Sequence, residues 1–385
     1  MLLADLGADV VKVEPTEGDA TRGWGPPWVG SADDGTRTAA YFLAVNRNKR
    51  SIRLDLRKPA GADVLRALLE RADVLVENFR VGSFARLGFD DDGLTELNPR
   101  LIHLSISGYG PDGPDAGRPG YDFVVQAEAG LMSITGQPDD VGGRPTKVGV
   151  AIADVVTGLH GAVAILAALA GRQRGGSPAV GRGQRIDTSI LESTLAILVN
   201  QAQNTFVTGR PPRRLGNAHP NIVPYEAFDT ADGSLAVGIA SERQWPRFCE
   251  ALGLAGLAAD PRFATNAGRV DRRAALRPIL AMRFRERTTA AWLAALATAD
   301  VPAGPINDVA QAFDTAQARS RQMRVRLDHP VLGPVDQVGL PFELGLTPAT
   351  IRTPPTLLGE QSDEVLAELG YDTSAVAGLR DDGVI

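Results

Sequence analysis

Along the first half of the chain the apolar positions switch between a helical and a strand period in regular order. Residues 1–7 (MLLADLG) read as the end of a helix stopped at Gly7. Residues 8–14 (ADVVKVE) then read as a buried strand, and 51–56 alternate as a short one. An amphipathic helix with proline near its start follows at 59–72. Strands follow at 73–77 (DVLVE) and, entered through 94–101, at 102–107 (IHLSIS). This rhythm predicts an α/β fold with a parallel sheet covered on both faces. The order opens inside a helix, whereas an open parallel fold normally opens on a strand. Two readings stand side by side: an opening strand and first helical turn precede Met1 in a longer product, or the sheet begins one strand later.

The second half has a different texture. Residues 154–171 (DVVTGLHGAVAILAALAG) predict a long helix, and 186–207 a second, mostly apolar one. A Pro-, Gly- and Arg-rich stretch at 208–221 (TGRPPRRLGNAHPN) reads as a linker. A hairpin is expected over 228–239, turning at Asp232-Gly233, then helices near 245–252, 272–285 and 288–298. VPAGPIND (301–308) reads as another crossing, and 359–370 as a helix with Ser362 as N-cap and Gly370 as stop. The expected organisation is a large domain beginning with 1–205, a smaller α+β domain at 216–315, and a C-terminal segment, 330–385, that returns to the large domain.

Composition narrows the function. The chain has 385 residues, 44% hydrophobic, enough for one large or two ordinary cores. A net charge of -6 gives no basic field for nucleic acid. A lone cysteine, Cys249, excludes an intrachain disulfide framework and fits a reducing compartment. The four histidines are far apart and offer no metal-ligand spacing. The start lacks the features of a signal peptide, and the most apolar stretch, 159–170, is too short to span a bilayer. A soluble, cytoplasmic protein is expected.

Several residues could carry chemistry. Asp154 stands where a long helix begins, suited either to capping it or to acting as a carboxylate nucleophile held ionised by the helix end. Asn46-Arg47-Asn48-Lys49-Arg50-Ser51 reads as a solvated turn or a phosphate clamp. Asn78, Phe79, Arg80 and Arg86 follow a strand end, where ligands of open parallel sheets bind; adenine could stack on Phe79. The glycine-rich run from Gly108 to Asp122 permits close approach of backbone to a ligand. His219 reads as a structural histidine or an acid–base group.

The segments LLADLGADVVKVE, NRNKRSIRLDL, ADVLVENFRVGSFARLGF, NPRLIHLSISGYG, GYDFVVQAEAG and GVAIADVVTGLHG occur in this order. With GRVDRR, VPAGPIND and LLGEQSDEVLAELG near the end, they resemble the family III coenzyme-A transferases. That group includes formyl-CoA transferase and the bile-acid-inducible and carnitine-pathway enzymes. The resemblance covers nearly the whole chain. It implies a Rossmann-like large domain closed by the C-terminal tail, a small domain, and a homodimer of interlocked rings. It places the nucleophile on Asp154. Coenzyme-A contacts fall on Leu54, Asp55, Leu56 and Arg57, on Asn78, Phe79 and Arg80, on Arg86, and on Pro119, Gly120, Tyr121 and Asp122. Coenzyme A is then a substrate, with no resident cofactor or metal; the partners are an acyl-CoA and a carboxylic acid, with neither nucleic acid nor membrane.

Two departures bear on substrate. Pro15 stands where formyl-CoA transferase has a basic residue, and GNAHPNIVPYEAF stands in place of its glycine-rich active-site loop. GNAHPNIVPY is more like relatives that handle succinate and other dicarboxylates. The implied mechanism passes through an aspartyl anhydride and an aspartyl-CoA thioester, with backbone N–H groups near Asp154 stabilising the oxyanion. A 2-methylacyl-CoA racemase of the same fold needs a histidine where this chain has Tyr121, a poor base at neutral pH. A catalytically impaired CoA-binding homologue is the third reading.

Overall fold

The computed structural model describes all 385 residues, 1–385. Strand Val10–Glu14 pairs in parallel with Lys49–Arg53, Val10 opposite Lys49. Val74–Glu77, Ile102–Ser107 and Arg185–Ser189 form a second parallel ladder, in that order. The expected α/β architecture with parallel strands is therefore present. Helix Pro59–Arg71 buries Val64, Leu65 and Leu69, and these join Ile52, Leu54, Phe84 and Leu94 in one core. Val365 and Leu366 of helix Ser362–Leu369 and Val376 and Leu379 of helix Thr373–Asp381 complete that core.

The chain forms two units. One comprises Met1–Asp122, Ala153–Ser193 and Ala312–Ile385; the other comprises Phe123–Ile152 and Thr194–Gln311. Residues 123–152 and 194–205, expected in a first block ending at 205, thus group with the second unit. That unit has an antiparallel sheet, Ala303–Pro305 against Ser234–Gly238 against Tyr225–Asp229. The Asp232-Gly233 turn joins its last two strands as expected. Its core gathers Trp245, Phe248, Phe284 and Trp292, and the indole N–H of Trp292 donates to the Phe284 carbonyl at 2.7 Å. Cys249 lies in this core, where burial pushes its thiol up to about 12, so it packs rather than reacts.

Four local expectations need correction. The start of the helix expected at 186–207 is the strand Arg185–Ser189, because β-branched Ile186 and Thr188 alternate with Arg185 and Asp187 and pair with Ile102–Ser107. Two helices, Ile190–Ala196 and Val199–Thr208, follow it. The crossing at 301–308 supplies strand Ala303–Pro305. Ser362 lies inside its helix, where its hydroxyl accepts the Arg53 N–H at 3.2 Å; Gln361 occupies the cap position. The apolar stretch at 159–170 is part of a 22-residue helix, Ile152–Gln173, long and apolar enough by length and composition to cross a membrane.

That helix is built into the parallel layer nonetheless. A side chain at Gly161 would meet Leu104 at 2.8 Å, so glycine is what lets helix and strand approach. Near its end Arg172, also buried, donates to Asp73 at 2.6 Å and to the Arg100 carbonyl at 2.8 Å. Val155, Leu159, Val163 and Leu166 form an exposed apolar stripe along it.

The basic run at 46–51 is a knot, not a phosphate clamp. Arg47 is 2% exposed and donates to both Asp5 oxygens at 3.1 and 2.8 Å. It also bonds the Val338 carbonyl. Asn48 donates to Asp5 and to the Thr350 carbonyl, each at 2.8 Å, and accepts the N–H groups of Arg352 and Thr353. Lys49 bonds Asn46, and Arg50 reaches Asp9, Glu364 and Glu368. Breaking a buried ion pair strands a charge, whereas exposed pairs contribute little. Arg47→Ala is expected to lower unfolding stability by about 3–5 kcal/mol, and Arg50→Ala by about 1 kcal/mol or less. Denaturant titration of the two variants checks the contrast; equal losses would mean that burial of the pair is not what matters.

Candidate active site

Asp154 is the third residue of helix Ile152–Gln173 and is reached by solvent. It does not cap the helix. Asp122 does, from a distant part of the same unit: its Oδ1 accepts the Ala153 N–H at 2.8 Å and, at a longer 3.4 Å, that of Asp154. The first N–H groups of a helix have no partner within it, and a carboxylate there is favoured. Those two groups are therefore taken, and the expectation that N–H groups at this turn serve an oxyanion is corrected to that extent.

The electrostatics also differ from expectation. A helix start alone favours an ionised carboxylate, by ~0.3–1 kcal/mol. Asp154 nevertheless has its pKa raised from 3.8 to about 6, first by burial of the surroundings of the carboxyl and then by the charge of Asp122. Desolvation and a like charge win over the helix end. At neutral pH the group remains about nine-tenths ionised, and it is more basic than an ordinary aspartate. Tyr41 feels both carboxylates: burial first, then Asp154 and Asp122, push its phenol up, so it stays protonated. Nothing in its neighbourhood, TAAYFLAVNRN, marks it in the sequence.

Asp122 is held by a pinch of backbone. Gly108 and Gly120 lie back to back, and a side chain on either would come within 2.7 Å of the other. The Gly110 N–H donates to the Ser107 hydroxyl at 2.9 Å, and the Arg118 guanidinium lies 4.4 Å from the Tyr109 ring centre. Pro119 is exposed, and the Tyr121 side chain stands out into solvent with 65% of its surface free.

The other expected ligand residues lie at two strand ends. Leu54 is buried in the core and its N–H donates to the Glu14 carbonyl at 2.8 Å, so neither its side chain nor its amide is free for a ligand. Asp55 accepts the Arg57 N–H at 3.0 Å and its guanidinium at 2.8 and 3.0 Å, which holds the exposed Arg57 over the turn; Leu56 packs against the core. Asn78, Phe79 and Arg80 follow Val74–Glu77 and are exposed. Glu77 shapes their turn by accepting the Phe79 N–H at 2.7 Å. Burial would raise the Glu77 pKa, but the His103 imidazole 3.5 Å away, Ser105 and the Phe79 N–H bring it below the usual range. Phe79 stacks on Phe84 at 5.4 Å, and Arg86 bonds Ser83 at 2.6 Å. Phe79, Arg80, Phe84 and His103 line a cavity of about 320 Å³. Asp154, Arg57 and Arg86 are not part of its wall.

His219 is engaged with its own loop. Its Nδ1 accepts the Asn221 N–H at 3.0 Å, and burial and then the Arg273 charge lower its pKa.

The chain belongs to the family III CoA-transferases: the CoA-transferase family III profile matches residues 1–362. It is 45% identical over 369 residues to a succinate–glutarate CoA-transferase of Agrobacterium fabrum, covering 96% of this chain and 90% of that protein. It is 39% identical to the succinyl-CoA:glutarate CoA-transferase of Mus musculus, covering 100% of this chain and 86% of that one. The crystal structure of a CAIB/BAIF family protein from Brucella suis superposes with a TM-score of 0.81 at 42% identity, covering 95% and 93% of the two chains.

The raised pKa of Asp154 has a stability consequence. The folded chain binds this proton more tightly than the unfolded chain, whose aspartates titrate near 3.9. Its charge therefore costs stability above pH 6, and the cost fades as pH falls toward 4. Asp154→Asn should raise the melting temperature at pH 8, with the gain shrinking by pH 4. Thermal melts of both proteins across that range check it; a variant that is less stable at pH 8 contradicts it.

Proposed function

We propose that this transferase moves coenzyme A from succinyl-CoA to a second dicarboxylic acid, with Asp154 as the covalent nucleophile. The observation that carries the reading is a solvent-reachable carboxylate with its pKa near 6 on a fixed helix turn. It is ionised at neutral pH and more nucleophilic than a free aspartate. The glutarate-specific names of the two relatives support the dicarboxylate class.

The chemistry balances over four displacements. The Asp154 carboxylate attacks the thioester carbonyl of the donor, the C–S bond breaks, and a mixed anhydride and CoA thiolate result. The thiolate attacks the aspartyl carbon of the anhydride, giving an aspartyl-CoA thioester and releasing the donor acid. The acceptor carboxylate attacks that thioester, forming a second anhydride and freeing the thiolate again. The thiolate then attacks the acceptor's acyl carbon, and Asp154 leaves as carboxylate. Each step exchanges one activated acyl bond for another, so no difficult direct exchange between carboxylates is needed. Coenzyme A would be held by Leu54, Asp55, Leu56 and Arg57, by Asn78, Phe79 and Arg80, by Arg86, and by Pro119, Gly120 and Tyr121; Asp122, expected among these contacts, instead has its Oδ1 on the Ala153 and Asp154 N–H groups. It enters as substrate, with no resident cofactor or metal. The same reading has the chain working in the cytoplasm, soluble and without nucleic acid, as a homodimer of interlocked rings. The exposed stripe Val155, Leu159, Val163 and Leu166 supports an apolar subunit interface.

Incubation with succinyl-CoA and hydroxylamine should trap a hydroxamate on Asp154, located by peptide mass spectrometry. Asp154→Asn should form no adduct and lose at least ~1000-fold in kcat, and wild-type kcat/KM should fall as pH drops through about 6. An adduct on another residue sinks the assignment. A panel of carboxylic acids, with glutarate and oxalate among them, names the acceptor.

The ligand map makes a separate prediction. Arg57→Ala, Arg80→Ala and Arg86→Ala should each raise KM for acyl-CoA more than they lower kcat, by about 10- to 150-fold for a lost charged hydrogen bond. The Arg80 guanidinium has no partner within the chain and should show the largest effect. Steady-state kinetics in which all three KM values stay unchanged would remove the map.

A further inference from the structure

Two carboxylates meet at the start of helix Ile152–Gln173, and only one of them is needed as a nucleophile. We propose that Asp122 is a positioning residue of the transfer reaction: it fixes the backbone that carries Asp154 and, as a second carboxylate beside it, sets the field in which Asp154 attacks. This role rests on Asp154 being the nucleophile.

The geometry carries the first half. Ala153 is fully buried, so its N–H has no access to water, and Asp122 is the group that satisfies it, at 2.8 Å. An ordinary cap is a neighbour in sequence; this one comes from 31 residues away. It ties the turn of the nucleophile to the Gly108–Gly120 pinch immediately before Asp122. A shift of the pinch itself would therefore shift Asp154, and small misplacements of a reacting group are costly.

The second half follows from charge. The titratable groups facing Asp154 are Asp122, at the opening of helix Asp122–Glu128, and Tyr41, on helix Ala40–Leu43. Asp122 repels the ionised Asp154 and, after burial, is the second cause of its raised basicity. When Asp154 attacks an acyl carbon its negative charge passes to the substrate oxygen. The repulsion felt by the free carboxylate is relieved as the bond forms. An interaction that is unfavourable before reaction and weaker in the transition state accelerates the step. Tyr41, held protonated, adds a neutral hydroxyl beside the pair rather than a third charge.

Two substitutions separate the roles. Asp122→Asn keeps an oxygen to accept the Ala153 N–H and removes the charge; Asp122→Ala removes both. The readouts are the pH profiles of kcat and kcat/KM with succinyl-CoA, and titration of the Asp154 carboxyl by carbon-13 NMR in the resting protein. In Asp122→Asn the Asp154 titration and the acid limb of kcat/KM should both move down, by roughly 0.5–1 pH unit. Its kcat at pH 8 should fall about 3- to 10-fold with KM for acyl-CoA unchanged. Asp122→Ala should show the same titration change, a deeper loss of kcat and a lower melting temperature. If it does not fold, the asparagine variant decides alone. An unmoved Asp154 titration with an unmoved profile overturns the proposal, as does a loss confined to KM, which would make Asp122 a ligand contact instead. If Asp154→Asn retains transfer, the nucleophile assignment has failed. If Asp154→Asn is dead while Asp122→Asn is unchanged in titration and rate, only the role of Asp122 has failed.

Discussion

A single carboxylate closing the start of a 22-residue helix from another part of the chain is the constraint on which this site depends. Asp122 satisfies the Ala153 N–H, which neither the helix nor water can reach, and so fixes where the helix begins. The register of everything along that helix follows. Gly161 falls against Leu104, Arg172 falls beside Asp73, and Asp154 falls on the turn that solvent reaches. Had Asp154 capped its own helix, its oxygens would have been engaged by backbone N–H groups and its pKa lowered. Handing that task to a second aspartate leaves the first one free and basic.

Two buried polar clusters hold the surrounding layer. Asp5 receives Arg47 and Asn48, and through them the loop that carries Thr350, Arg352 and Thr353. Glu14, at the end of its strand, is buried and receives the Arg22 guanidinium at 2.8 and 2.7 Å, the Ser51 hydroxyl at 2.6 Å and the Asp19 N–H at 3.0 Å. Burial works against its ionisation, but these donors together keep its pKa below the usual range. Such clusters are costly to leave half satisfied, so they specify one arrangement of strand ends. Both lie at the strand pair Val10–Glu14 and Lys49–Arg53, whose continuation, Leu54 to Arg57, is part of the expected ligand surface.

What was legible in the sequence follows from how local the cause is. The strands at 10–14, 74–77 and 102–107 are short apolar runs with polar ends, and the amphipathic helix at 59–71 has its own proline signal. Arg185–Ser189 escaped because RIDTS runs without a turn into an apolar helix, and only its pairing with Ile102–Ser107, far back in the chain, makes it a strand. The basic run at 46–51 read as a solvated turn or a phosphate clamp because its acidic partner, Asp5, is 42 residues away from Arg47. Asp154 was found through its segment, not through charge alone. The cap from Asp122 and the nearness of Tyr41 left no trace in spacing, since each arises from tertiary folding of separate stretches.

The glycine pinch carries a consequence for how the protein can change. Because Gly108 and Gly120 touch, the chain between them departs from and returns to one point, and its excursion is mechanically closed before Tyr121 begins. The path inside the excursion is thus uncoupled from the position of Asp122. Lengthening a closed surface loop costs only about 0.6 kcal/mol per doubling of its length. Residues 112–117 can therefore be rewritten, extended or shortened as an exchangeable insert, while the two glycines and the aspartate beyond them are locked together. Variation in such a protein has a permitted place, a few residues from a point where none is tolerated.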